Sequence, residues 1–169
     1  MTLYAHFNTI EFTVTVRANP DLTPKIADLK INGIDTKSAS IRKGATITVN
    51  ASPEDGWTLE NWTIDGIEVA TSRTHMLVVN ADVDLVANFV QIFNITALVQ
   101  EGSGTIEHIG TTQINQGGNR TYTITPSTGW EIDEVVIDGK INEGAITAGS
   151  YTFTNVVKDH SIIVYFKAR

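Results

Sequence analysis

Four histidines, His6, His75, His108 and His160, are the first side chains to weigh for metal or acid–base chemistry. None stands two or four residues from another, the spacings that put two imidazoles on one face of a strand or helix. Four solvated side chains are therefore expected. Asp82-x-Asp84 has the opening of a calcium loop, in which carboxylate oxygens ring a hard cation. The rest of the Asp-x-Asp-x-Asp-Gly pattern and its bidentate Glu are missing, and a surface turn is expected instead. Asp133-Glu134 offers two carboxylates, but adjacent residues on a strand face opposite ways and do not act as a pair. Gly102-Ser103-Gly104 lacks the flanks of a nucleophile elbow and reads as a connection between strands. With no cysteine, thiol catalysis, zinc–thiolate sites and disulfides are excluded. The expectation is no catalytic residue, no metal site and no cofactor.

Three tryptophans remain, Trp57, Trp62 and Trp130. Exposed in a row, they would stack on sugar rings and form a ligand-binding platform. Buried, each would anchor a core and cover ~150–250 Å². Trp57 and Trp130 both follow a glycine in matching segments, which favours the core and predicts two equivalent, largely buried positions.

The elements that must carry these side chains occur twice. Lys43 to Trp57 aligns with Gly117 to Trp130, so that Pro53, Gly56 and Trp57 match Pro126, Gly129 and Trp130 at an offset of 73 residues. The same offset carries Ile64-Asp65-Gly66 onto Ile137-Asp138-Gly139. Asp82 to Phe89 then matches Asp159 to Phe166 at an offset of 77, a gain of four residues of the kind that loops absorb. Phe12 to Val16 and Phe93 to Ala97 open the two copies. The boundary falls near Val90-Gln91-Ile92. Residues 8–90 and 91–169 are the two expected modules, and residues 1–7 read as the last strand of a truncated preceding repeat. The chain thus reads as an internal piece of a longer protein.

Alternation of large apolar residues with threonines predicts strands over 12–17, 45–51 and 121–125. Asn32-Gly33 marks a tight hairpin, because both positions of that turn need positive φ. After Trp57 and Leu59 the next large apolar residues are Trp62 and Ile64, so the period-2 phase slips by one. Trp130, Ile132, Val135 and Ile137 slip in the same way. An extra residue on a strand is a β-bulge, expected near Glu60-Asn61 and Asp133-Glu134. Each copy ends with two short strands, 76–79 with 85–89 and 151–153 with 162–166. Short turns between strands imply antiparallel pairing.

Composition agrees. The chain holds 58 Thr, Ile and Val residues against 7 Leu. β-branched side chains are stiff at χ1 and suit a pleated surface. The fold class is all-β: two tandem small antiparallel modules with at most a short helix each. A formal charge of −7 without a Lys/Arg cluster argues against nucleic acid and anionic membrane surfaces as partners. No apolar run approaches the ~20 residues of a helical span, so no membrane insertion is expected.

The string Gly44-x-Thr46-Ile47-Thr48-Val49-x-Ala51-x-Pro53-x-x-Gly56-Trp57-x-Leu59-x-x-Trp62, closed by Leu85 to Phe89, resembles the divergent internalin B B-repeat of bacterial surface proteins. Met1 to Phe7 resembles the end of the related Listeria–Bacteroides repeat. The second copy departs by carrying Val135 at the place of Trp62, and residues 19–42 have no place in the pattern. The resemblance implies a non-catalytic extracellular stalk or adhesion module, with a β-grasp-like fold in some relatives. It carries over no catalytic or binding residue. Such a module would be a monomer that meets a protein or glycan ligand at the cell surface. The alternative is a carbohydrate-binding module appended to a secreted polysaccharide-degrading enzyme, with Trp57, Trp62 and Trp130 as its contacts.

Overall fold

A computed structural model describes residues 9–169. The truncated repeat expected over residues 1–7 lies outside the described residues. The chain divides into two compact units, one ending at Val90 and the other running from Gln91 to Arg169.

The first unit begins with β1 (Glu11–Asn19), β2 (Ala27–Ile31), β3 (Ile34–Asp35) and β4 (Ser38–Arg42). It continues with β5 (Thr46–Pro53), β6 (Trp57–Ile64), β7 (Ile67–Ala70) and β8 (Thr74–Val78). It closes with the first residues of β9 (Val83–Glu101). These strands form two sheets, in the orders β4-β1-β9-β6-β7 and β3-β2-β5-β8. The alternation read in the sequence puts Val14 and Val16 of β1, Ile47 and Val49 of β5, and Leu85 and Ala87 of β9 into one core with Trp62.

The second unit takes the rest of β9 and adds β10 (Gly104–Ile106), β11 (Gly110–Asn115), β12 (Arg120–Pro126) and β13 (Trp130–Ile137). Then come β14 (Lys140–Ile141), the helix α1 (Glu143–Ala148), β15 (Ser150–Phe153) and β16 (His160–Ala168). Its sheets run β11-β9-β16-β13-β14 and β10-β12-β15. Ile95, Ala97, Tyr122, Ile124, Val135, Ile162 and Val164 fill its own core.

Apart from β3, which has no counterpart in the second unit, the two strand plans coincide. The four residues gained by the second copy lie where α1 forms. Asn142 caps that helix through its side-chain oxygen, which accepts the Ala145 N–H at 2.9 Å, and Gly149 ends it in the left-handed region. The hairpins at Asn32-Gly33, Asp65-Gly66 and Asp138-Gly139 all have positive φ at both residues, as the type of turn requires. On β13, Ile132 faces Phe166 and Glu134 faces Tyr165, leaving Asp133 as the bulged residue. On β6 the buried residues Leu59 and Trp62 stand three apart, the same phase slip.

Two expectations are corrected. The modules are not wholly antiparallel, because β1 pairs with β9 in parallel, and β9 pairs with β16 in parallel. Short turns determine how sequence neighbours pair, whereas these partners are joined by the whole of a module. The two closing strands do not pair with each other either. Strand β8 joins β5 in one sheet while β9 joins β1 in the other. Residues 19–42, which the sequence pattern leaves unplaced within the first module, supply strands with counterparts in the second. Strand β2 pairs with β5 as β10 pairs with β12, and β4 pairs with β1 as β11 pairs with β9. The extra length lies in the hairpin β2–β3 and in residues 20–26.

Candidate functional site

The three tryptophans occupy different surroundings. Trp62 has no exposed surface, and its indole N–H donates to the Ser72 carbonyl at 3.0 Å. It presents no face to a ligand, which corrects its place in a glycan platform: the phase slip on β6 turns it into the core. Trp57 and Trp130 are equivalent in position and partly buried, each packed against its own core with a minor part of its surface exposed. Both keep most of their surface covered, in the equivalent positions that the sequence predicts. Each begins its strand directly after a turn, Trp57 N–H donating to Glu54 O at 3.1 Å and Trp130 N–H to Ser127 O at 2.9 Å. Gly56 and Gly129, at φ near 80°, let those turns close.

Trp57 lines a surface cleft of about 630 Å³ with Leu22, Pro24, Lys25, Glu54 and Asp55. Its far wall is the segment 20–26, held to the turn by the Glu54 N–H, which donates to Ile26 O at 2.8 Å. Leu22 is 46% exposed at the mouth. Lys25 pairs with Asp28, whose carboxylate raises the Lys25 ammonium above the ordinary lysine range. One aromatic face, an apolar rim and charges of both signs make a surface that a polar ring-shaped ligand could occupy. Residues 20–26 are longer than the corresponding stretch of the second unit, so this cleft belongs to the first copy. The sequence pattern singles out Trp57 but not this wall, whose one signal was the unexplained length of 19–42.

The remaining candidates have structural partners. The Asp82-x-Asp84 pair is turned toward β1. Asp82 Oδ1 accepts the Thr13 N–H at 2.8 Å, and Asp84 accepts from the Thr15 hydroxyl at 2.8 Å and from Arg17 Nε at 3.1 Å. The Thr15 bond holds the Asp84 carboxyl below the usual range; partial burial opposes it and Arg17 adds to it. Asp133, on the bulge, pairs with Lys167 at 3.0 Å. Ser103 donates its hydroxyl to Ser127 at 2.9 Å. Its flanking glycines are there for packing. A Cβ on Gly102 would stand 2.2 Å from the Phe166 carbonyl oxygen, and one on Gly104 would stand 2.3 Å from the Phe166 ring. His160 Nδ1 lies 2.7 Å from Asp138 Oδ2. Burial alone would push Asp138 up, but the Ser161 N–H, His160 and Lys158 outweigh it and hold its carboxyl low. His75 and His108 lie apart from these groups, and His6 is outside the described residues. Among the described residues no group of three His, Cys, Asp or Glu side chains is placed to hold a metal ion. No helix there is long and apolar enough to cross a membrane.

Residues 29–93 match the family model of the divergent InlB B-repeat domain. The match runs from β2 into β9 and takes in Trp57, Trp62 and the phase slip on β6. It agrees with the resemblance carried by Gly44 to Trp62 and Leu85 to Phe89. No curated protein matches the chain. Among solved structures, a point mutant of the major pilin from Streptococcus pyogenes is 11% identical. The alignment covers 95% of this chain and 99% of that one, at a TM-score of 0.31, a likeness too slight to argue from. The B-repeat match comes with an all-β architecture of several sheets and one short helix among the described residues.

Proposed function

We propose that the chain is a non-catalytic stalk or adhesion segment of a bacterial cell-surface or secreted protein. The observation that carries this reading is a unit matching the B-repeat, followed by a second unit of closely similar strand plan, each with its own core. Tandem copies lengthen a chain without adding chemistry. Asp82 and Asp84, weighed above for calcium, and Asp133 and Ser103, weighed for catalysis, are each paired with groups of neighbouring strands or turns. In this reading the segment acts outside the cell as a monomer, and its ligand is a protein or a glycan. An antibody raised against residues 9–169 tests it on the producing bacterium. Labelling of intact cells or of the culture medium, with the cell label removed by external protease, is the expected result. Labelling only after permeabilisation would overturn it.

One observation favours a second reading, a carbohydrate-binding module. Trp57 lines, with part of its surface exposed, an open cleft that also offers Lys25, Glu54 and Asp55. A glycan-array signal abolished by Trp57→Ala and retained by Trp130→Ala would favour it over the stalk.

A further inference from the structure

In each unit the strand by which the chain enters and the strand by which it leaves lie side by side and parallel. Strand β1 runs along β9 from Val14 opposite Val83 to Asn19 opposite Asn88. In the second unit β9 runs along β16 from Ile95 opposite His160 to Glu101 opposite Tyr165. Parallel neighbours begin at one edge and end at the other. Tension between entry and exit therefore pulls the two strands along their length in opposite directions. The backbone hydrogen bonds between them are then strained together, whereas an antiparallel pair pulled from its open end loses them in succession. Each such bond contributes only ~0.5–1.5 kcal/mol net, so breaking one or breaking the set sets very different barriers. Unfolding under force is governed by that barrier.

A second feature recurs with the first. Asp82 Oδ1 accepts the Thr13 N–H, and Asp159 Oδ1 accepts the Asn94 N–H, both at 2.8 Å. These residues are equivalent in the two copies. Each bond lies just ahead of the parallel register, at the end where the entering strand is pulled, and a carboxylate acceptor makes it one of the stronger kind. In the first unit Thr15 and Arg17 add side-chain bonds to Asp84, and Asn19 adds one to Asn88.

We propose that each unit is a tension-bearing element. Its parallel first and last strands, pinned by Asp82 or Asp159, form a shear clamp that holds the fold when its two ends are drawn apart. This deepens the stalk reading and rests on it for the source of the tension, but the clamp has a test of its own.

The chain has no cysteine, so introduced pairs give unique handles for optical tweezers on the full chain. Ile10→Cys with Gln91→Cys loads the first unit through entry and exit. Ile10→Cys with Lys43→Cys loads β1 against its antiparallel neighbour β4, where the Lys43 N–H donates to Ile10 O at 2.8 Å. At equal pulling speed the entry–exit pair should break at severalfold higher force, and Asp82→Ala should lower that force. Equal forces in the two geometries overturn the clamp, while surface labelling judges the stalk reading separately. An unchanged force in Asp82→Ala removes the carboxylate from the clamp.

Discussion

Replacing Trp62 by Ala should unfold the first unit at far lower denaturant and leave the second untouched. Trp62 has no exposed surface. Burying ~200 Å² of aromatic surface at ~25 cal/mol per Å² is worth about 5 kcal/mol. Alanine retains part of that, but the cavity left behind adds its own cost, and buried aromatic-to-alanine changes fall at ~3–5 kcal/mol. The Ser72 carbonyl loses the indole donor, yet Ser72 is exposed and water can replace it at little cost. A loss of about 4 kcal/mol is large against the ~5–15 kcal/mol total of a typical domain. Urea denaturation of the full chain followed by fluorescence separates the units, because Trp130 is the one tryptophan of the second. The early transition should move to much lower urea and the Trp130 transition should stay. Unshifted midpoints, or equal shifts in both, would refute the assignment of Trp62 to a core of its own unit. Trp57→Ala should cost markedly less, since that ring is only partly buried.

Gly102→Ala should destabilise the second unit alone. Its Cβ meets the Phe166 backbone at a positive φ, costing about 1–3 kcal/mol in overpacking and about 1 more in backbone strain. A urea midpoint equal to wild type would count against the close approach of Gly102 to β16. Asp84 and Asp138 have carboxyls held below the usual range in the folded state. Their contribution is present above the unfolded pKa of about 3.9 and is lost as pH falls through the lower folded values. Acid titration should therefore destabilise both units below about pH 4. Asp138→Asn should flatten that acid dependence in the second unit only, and an unaltered acid limb would rule out the Asp138 carboxylate as its source.

The repeat, the turns and the bulge were legible because each is a local rule. Asp-Gly and Asn-Gly demand positive φ wherever they stand, and a one-residue phase slip can be read from Trp57, Leu59 and Trp62 alone. The parallel pairing of β1 with β9 was not legible, since its partners lie almost 70 residues apart and no turn joins them. A trace of it was present: Asp82 recurs as Asp159 whereas Asp84 becomes Ser161, and the residue that recurs is the one that pins the entering strand. Alternation also could not rank the tryptophans by burial. Period 2 assigns residues to faces but does not say how far a strand's first residue reaches past the core, so it does not separate the fully buried Trp62 from the partly buried Trp57 and Trp130. The candidate cleft needed residues 20–26 laid against Trp57, a contact made through backbone groups that any sequence carries.

We infer that each repeat folds by itself, and amide NMR of residues 8–90 and 91–169 as separate chains tests this most directly. Each core is built from residues of its own unit. Each fragment should therefore give a dispersed amide spectrum, with the Trp62 indole N–H protected in the first. Collapse of both spectra into the narrow range of unfolded chains would contradict the tandem-module architecture, because it would mean that neither repeat folds without the other.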